Sequence, residues 1–189
     1  VSAEHTDNLH QTTEKLRHLV IDSTRRQLVA DVPVCTFLSG GLDSSALSAI
    51  AAQAMAEKGN ILRTFSVDYV DNDKYFTRSV FQPSPDSDYI DIMRRHIGSE
   101  HVTITLDTPE LVSALRDAVT ARDLPGMADV DSSLLLFCQR MRGYATVALS
   151  GECADEIFGG YPWFYREDLL NLDMFPWANS LDLRRSVMS

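Results

Sequence analysis

Basic residues are scarce in this chain of 189: 17 lysines and arginines stand against 27 aspartates and glutamates, a formal net charge of −10. A surface of that sign repels phosphate, which excludes nucleic acid or an anionic membrane as a general partner. Any anionic ligand must therefore be held locally, by backbone amides, a few bases or a metal ion. Cysteine is equally thin. Cys35, Cys138 and Cys153 are odd in number, widely spaced and form no CxxC, so a reduced cytoplasm fits better than a disulfide scaffold. The five histidines show no i, i+4 pairing, which argues against zinc. Long apolar runs are missing too: residues 46–56 are interrupted by Ser48 and Gln53 and are too short to span a bilayer. The opening Val1-Ser2-Ala3-Glu4 shows no basic stretch followed by an apolar one, so no secretory signal is read, and without an initiator Met it reads as a processing boundary.

What is present is the composition of a soluble globular protein, 44% hydrophobic and 23% charged, with length for one domain and a real core. Leu9, Leu16, Leu19, Val20 and Leu28 recur near a helical period, predicting an amphipathic helix over 9–30. Residues 33–38 form a short apolar run ending in Ser39-Gly40-Gly41, as a buried strand would. A helix is expected over 43–58, with Gly59 just past its end, and a second strand over 61–67. Residues 68–87 read as a long polar loop. A helix over 89–97 and a strand over 102–106 follow. Thr108 then reads as a cap and Pro109 as the first position of a helix whose apolar face is Leu111, Leu115, Ala118 and Val119. A helix over 132–142 leads to a strand over 145–149. Four strands each followed by a helix predict an α/β fold, a parallel sheet of four to five strands with helices on both faces. The expected organisation is a leading helix (1–31), a core (32–171) and the start of a further helical segment (172–189).

Two motifs carry chemistry. Phe37-Leu38-Ser39-Gly40-Gly41-Leu42-Asp43-Ser44-Ser45 lies between a strand and a helix. Gly40 and Gly41 permit a tight turn and let backbone N–H groups approach a ligand. The hydroxyls of Ser39, Ser44 and Ser45 can donate, and the helix N-terminus adds a partial positive end. This is an anion cradle that needs no net positive charge, although a tight turn with a capping residue would use the same letters. It is neither a GxxxxGK[ST] loop nor a GxGxxG loop. The second motif, Ser150-Gly151-Glu152-Cys153-Ala154-Asp155-Glu156-Ile157-Phe158-Gly159-Gly160-Tyr161, follows another strand. Two parallel strands ending in Ser-Gly put both loops at the carboxyl edge of the sheet, where open α/β sheets bind ligands. Carboxylates from Glu152 and Asp155 beside a phosphate cradle call for a cation between, and Mg²⁺ suits oxygen ligands. Glu156 reads as an acid complementing the helix start.

The first motif resembles the pyrophosphate-loop signature of the N-type ATP pyrophosphatases. The two together, over residues 10–170, resemble the synthetase domain of the glutamine-hydrolysing asparagine synthetases. That resemblance implies an adenine nucleotide alpha hydrolase-like fold and ATP-dependent activation of the aspartate side chain as β-aspartyl-AMP with release of pyrophosphate. Ammonia from glutamine then gives asparagine and AMP. It further implies that Ser39, Gly41, Asp43, Ser44 and Ser45 surround the pyrophosphate of ATP, and that Leu38 touches the nucleoside through its backbone. Val67 would contact the adenine; Ser150, Gly151, Glu152 and Asp155 would line the other side, with Asp43 and Asp155 near Mg²⁺. Substrate-side residues would fall in Asp129-Val130-Asp131-Ser132-Ser133, where the pattern matches loosely. The family's N-terminal glutaminase domain, a partner in the full enzyme, is not read in these residues, nor is a downstream lysine segment, so these residues alone are expected to lack turnover. A homodimer of the full enzyme stays open. Cys153 reads as a small helix residue. A β-lactam synthetase-like cyclase and a nucleotide-binding module without turnover remain as alternatives. GMP synthetases and tRNA-modifying enzymes share only the first motif.

Overall fold

The computed structural model describes residues 6–78, 84–175 and 185–186. The chain divides into two compact units, Val1–Ser150 and Gly151–Ser189. The first holds a four-stranded sheet made of β1 (Val34–Phe37), β2 (Arg63–Tyr69), β3 (Glu100–Leu106) and β4 (Val147–Leu149). The spatial order is β3-β2-β1-β4 and every pairing is parallel. Between the strands run α2 (Leu42–Ala56), the short α3 (Asn72–Tyr75), α4 (Asp86–Ile97), α5 (Thr108–Arg122) and α6 (Ala128–Met141), and α1 (Leu9–Gln27) leads in. The expected parallel α/β sheet with helices on both faces is therefore present.

Strand alternation sorts the core into two layers. Cys35, Phe65, Ile104 and Leu106 point to one face and pack on Phe137 and Met141 of α6. Leu62 and Leu149 point to the other and pack on Ala51 and Ala54 of α2. From β1 the chain steps outward to β2 and β3 with α2 and α4 on one face, then returns through α5 and α6 on the opposite face to β4. Right-handed crossovers force that change of face when the direction of progress reverses. The reversal lies between β1 and β4, the place where open α/β sheets as a class bind ligands at the carboxyl ends of their strands.

Several local expectations shift. The cap of α5 is Asp107, whose carboxylate accepts from the Glu110 N–H at 2.9 Å while the Glu110 side chain reaches back, a full capping box. Thr108 is thus the first helical residue and Pro109 the second. The packed face of α5 uses Ala114 and Ala118 with Leu111 beside them, and Val119 is exposed. The polar 68–87 segment contains α3, and α4 begins at Asp86 because Asp86 and Asp88 complement its first turn. Residues 79–83 of that segment lie outside the described residues, as does most of 172–189.

Cys35 is fully buried 3.5 Å from the Met141 sulfur, and burial pushes its thiol up to about 11. A thiol reagent at pH 8 is therefore expected to modify Cys35 only after denaturation. Peptide mapping of native and unfolded protein checks this, and prompt native labelling of Cys35 would contradict the packed core.

Candidate functional site

At the end of β1 the chain turns through Leu38 to Gly41 into α2. Leu38 is fully buried and its N–H donates to Phe65 O at 2.8 Å, which ties the loop to β2. Gly40 has φ +81°, and a Cβ there would lie 2.8 Å from Asp86 O and 3.1 Å from Tyr89 Cβ. Both the left-handed backbone and the contact with α4 exclude a side chain. Gly40→Ala is expected to cost about 2 kcal/mol or more, from about 1–2 kcal/mol for the left-handed backbone plus the contact. For a chain of this size that is a fall in Tm of about 4–8 °C, read by thermal unfolding.

The loop holds itself together through Ser44. Ser44 Oγ accepts from the Ser39 N–H (3.2 Å), lies 2.9 Å from Ser39 Oγ and donates to Gly41 O (3.2 Å). Ser44 is buried, whereas Ser39 and Asp43 are exposed and Ser45 is half-buried. No side chain caps α2, whose N-cap is Gly41. Its first amides are left for water or a ligand, and the helix dipole favours an anion there. Asp43 lies in this first turn, and its carboxylate makes no ion pair or hydrogen bond within the described residues. Ser150 closes β4, which pairs with β1 through Cys35↔Ala148 and Thr36↔Leu149, so it stands at the same carboxyl edge. Val67, near the end of β2, is partly exposed.

Beside this loop is a cleft of about 590 Å³ that the sequence reading missed, lined by Val67 and Asp68 of β2, Asp86, Ile90 and Arg94 of α4, and His101 of β3 among others. Its floor is polar. His101 Nδ1 lies 2.8 Å from Thr64 Oγ1 and Nε2 lies 3.1 Å from Ser66 Oγ, with Thr103 Oγ1 at 3.3 Å. The signal was available. β2 is a central parallel strand that should be apolar on both faces, yet Thr64 and Ser66 alternate with Phe65 and Val67 and are buried.

The second unit carries Gly151, Glu152 and Asp155. The Ala154 N–H donates to Gly151 O at 3.3 Å, closing a turn with Glu152 and Cys153 at its centre. Cys153 has φ +69° and ψ 6°, a left-handed position that turns of this kind normally give to glycine. It thus precedes the short helix α7 (Ala154–Phe158) and is not the helix residue the sequence suggested. A Cβ on Gly160 would fall 1.8 Å from Asp155 Oδ1, so glycine there makes room for that carboxylate. Glu152 and Asp155 are exposed. Glu156 accepts from the Tyr161 hydroxyl at 3.2 Å. The Tyr161 phenol is pushed above its ordinary value, by desolvation first and then by the carboxylates of Glu156, Asp155 and Glu152.

Of the expected substrate-side segment, Ser132 Oγ donates to Ala128 O (2.9 Å), Ser133 Oγ meets the Tyr69 hydroxyl (2.7 Å), and Asp131 pairs with Arg122. The Asp129 side chain lies outside the described residues. Among the described residues no group of three or more His, Cys, Asp or Glu side chains is disposed to hold a metal, and no helix is long and apolar enough to cross a membrane.

The asparagine synthase family matches residues 15–189. Over all 189 residues the chain is 51% identical to asparagine synthetase [glutamine-hydrolyzing] 3 of Bacillus subtilis, of which it covers 30%. It is 33% identical over 181 residues (96% of the chain) to a putative asparagine synthetase of Mycobacterium tuberculosis and covers 25% of it. It is 30% identical over 175 residues (88% of the chain) to an amidase of Penicillium rubens, again covering 25%. The chain thus spans less than a third of the length of these relatives.

Proposed function

Because the chain belongs to the asparagine synthase family, we propose that residues 1–189 are the ATP-binding part of an enzyme that activates the aspartate side-chain carboxylate as β-aspartyl-AMP. Pyrophosphate leaves, and ammonia from glutamine, supplied by an N-terminal glutaminase portion of the full-length protein, then forms asparagine and releases AMP. We place this chemistry in the cytoplasm.

The uncapped N-terminus of α2 under the Gly40 turn, at the reversal of strand order, carries the proposal. In a chain of charge −10, this edge offers a phosphate fixed dipoles instead of bases. In the assignment, the amides of Gly40, Gly41 and the first turn of α2 cradle the pyrophosphate, with the Ser39 and Ser45 hydroxyls beside them. Ser44, tied into the loop, keeps those amides in place. Val67 contacts the base, and Ser150 and Gly151 border the nucleotide from the β4 side. Asp43 fits a Mg²⁺ ligand: it is a hard oxygen donor, exposed and without a partner among the described residues, and Mg²⁺ commonly uses one or two carboxylates plus substrate phosphates. The motif assigns Asp155 to the same ion. Bound there, Mg²⁺ would neutralise charge on the phosphates as pyrophosphate departs.

A second reading keeps the ATP site but activates a carboxylate other than aspartate; the Penicillium rubens relative is named an amidase, not an asparagine synthetase. In the full-length protein, ATP titration together with pyrophosphate release, with and without aspartate, separates the readings. Release that depends on aspartate supports the first. Release that ignores aspartate but answers another acid supports the second. Absence of ATP binding removes both. Because the 189 residues correspond to less than a third of the relatives, this segment by itself is expected to yield no asparagine by amino-acid analysis.

A further inference from the structure

We propose that His101 is a positioning residue for nucleotide binding, holding the C-terminal half of β2 where Ser66, Val67 and Asp68 meet the base; the proposal rests on the nucleotide reading above. The cleft and the phosphate loop share walls. Gly40 packs on the first turn of α4, whose Asp86 and Ile90 also line the cleft, and Leu38 is hydrogen-bonded to Phe65, the residue before Ser66. A base tethered to phosphates at α2 would therefore meet this stretch of β2. Within the cleft, His101 is the side chain that joins two successive inward positions of β2, Thr64 at one ring nitrogen and Ser66 at the other.

The Nε2–H tautomer fits these contacts: Ser66 Oγ is placed to donate to Thr103 Oγ1 at 3.4 Å and so to accept from Nε2–H, and Nδ1 then accepts from Thr64. Thr64 in turn lies 3.0 Å from Ser99 Oγ. Charged groups lining the same cleft are Asp68 from β2 and Asp86, Asp91 and Arg94 from α4, of which Asp91 is paired with Arg94 and Arg95. Burial, and then the Arg94 cation, hold the His101 pKa below the ordinary 6.5. The ring is therefore neutral at pH 7, and its contribution is present above the ordinary value and lost as pH falls through the lowered one. Protonation would put a hydrogen on Nδ1, reverse the Thr64 bond and place a cation beside Arg94.

The test is ATP affinity of the full-length protein from pH 5.5 to 8, in wild type, His101→Gln and His101→Ala. The titration of the ATP phosphates is common to all three and cancels in their ratios. At pH 8, His101→Ala is expected to bind about tenfold more weakly, the loss of two modest hydrogen bonds. The deficit should shrink toward acid as the wild-type ring charges. His101→Gln, which keeps a donor and an acceptor and does not titrate, should recover most of the affinity at pH 8 and lose less affinity than wild type toward acid. Wild-type affinity in His101→Ala, or no recovery of affinity at pH 8 in His101→Gln, overturns the proposal. If His101→Ala does not fold, the His101→Gln profile decides alone. If wild type binds no ATP at any pH, the nucleotide reading has failed and this proposal falls with it, a result distinct from binding that ignores His101.

Discussion

Glu152→Gln in the full-length protein is expected to keep ATP binding and lose asparagine formation by roughly 10²–10⁴-fold, the usual contribution of a general base. Ammonia at neutral pH is mostly ammonium, and attack on an acyl-adenylate needs a free lone pair. A carboxylate beside the adenylate can accept the proton. Glu152 is exposed in the turn that follows Ser150 and Gly151, between the end of β4 and α7, where no helix geometry fixes it as a mere dipole complement. Glutamine keeps the shape and removes the base. Exchange of labelled pyrophosphate into ATP distinguishes the roles: it should survive if Glu152 acts after adenylation and fall in parallel if it serves adenylation itself. Normal asparagine synthesis by the variant would remove Glu152 from the mechanism.

Asp43→Asn is expected to lower Mg²⁺-dependent pyrophosphate release by about 10²–10³-fold, a loss comparable to deleting one preorganised electrostatic contact in the transition state. The fold should survive, since Asp43 is exposed at the start of α2 and bonds to no described neighbour. Thermal unfolding and the pyrophosphate assay measured on one preparation check both halves. Loss of an acid in a first turn removes a dipole interaction of about 0.3–1 kcal/mol, so a small fall in Tm is compatible. Near-normal pyrophosphate release would cancel the assignment of Asp43 to the metal.

The turns and helix starts that hold these two residues were readable without coordinates because that setting is local in sequence. A strand, a Ser-Gly turn and a helix start occupy fewer than a dozen consecutive positions, and glycine, hydroxyl and carboxylate requirements there follow from backbone geometry. The cap of α5 was misplaced by one residue because Asp107 and Thr108 can both cap. Only the reach of the Glu110 side chain, which completes the box, selects Asp107. Cys153 was misplaced for a related reason. Its left-handed φ of +69° is imposed by the closing of the turn and goes against the preference of the residue.

The sequence by itself determined the alternation of strands and helices, the parallel sheet this implies, and both strand–turn–helix motif loops. Each follows from periodicity or from glycine, which are properties of neighbouring residues. Tertiary structure alone decided that Gly40 is pinned by α4 and that a polar cleft with His101 as its floor opens beside β2. His101 meets Thr64 across 37 positions and Ser66 across 35. Such contacts arise only once parallel pairing sets Thr64 opposite His101 and Ser66 opposite Thr103, because strand register, unlike a turn, has no local signature in the chain.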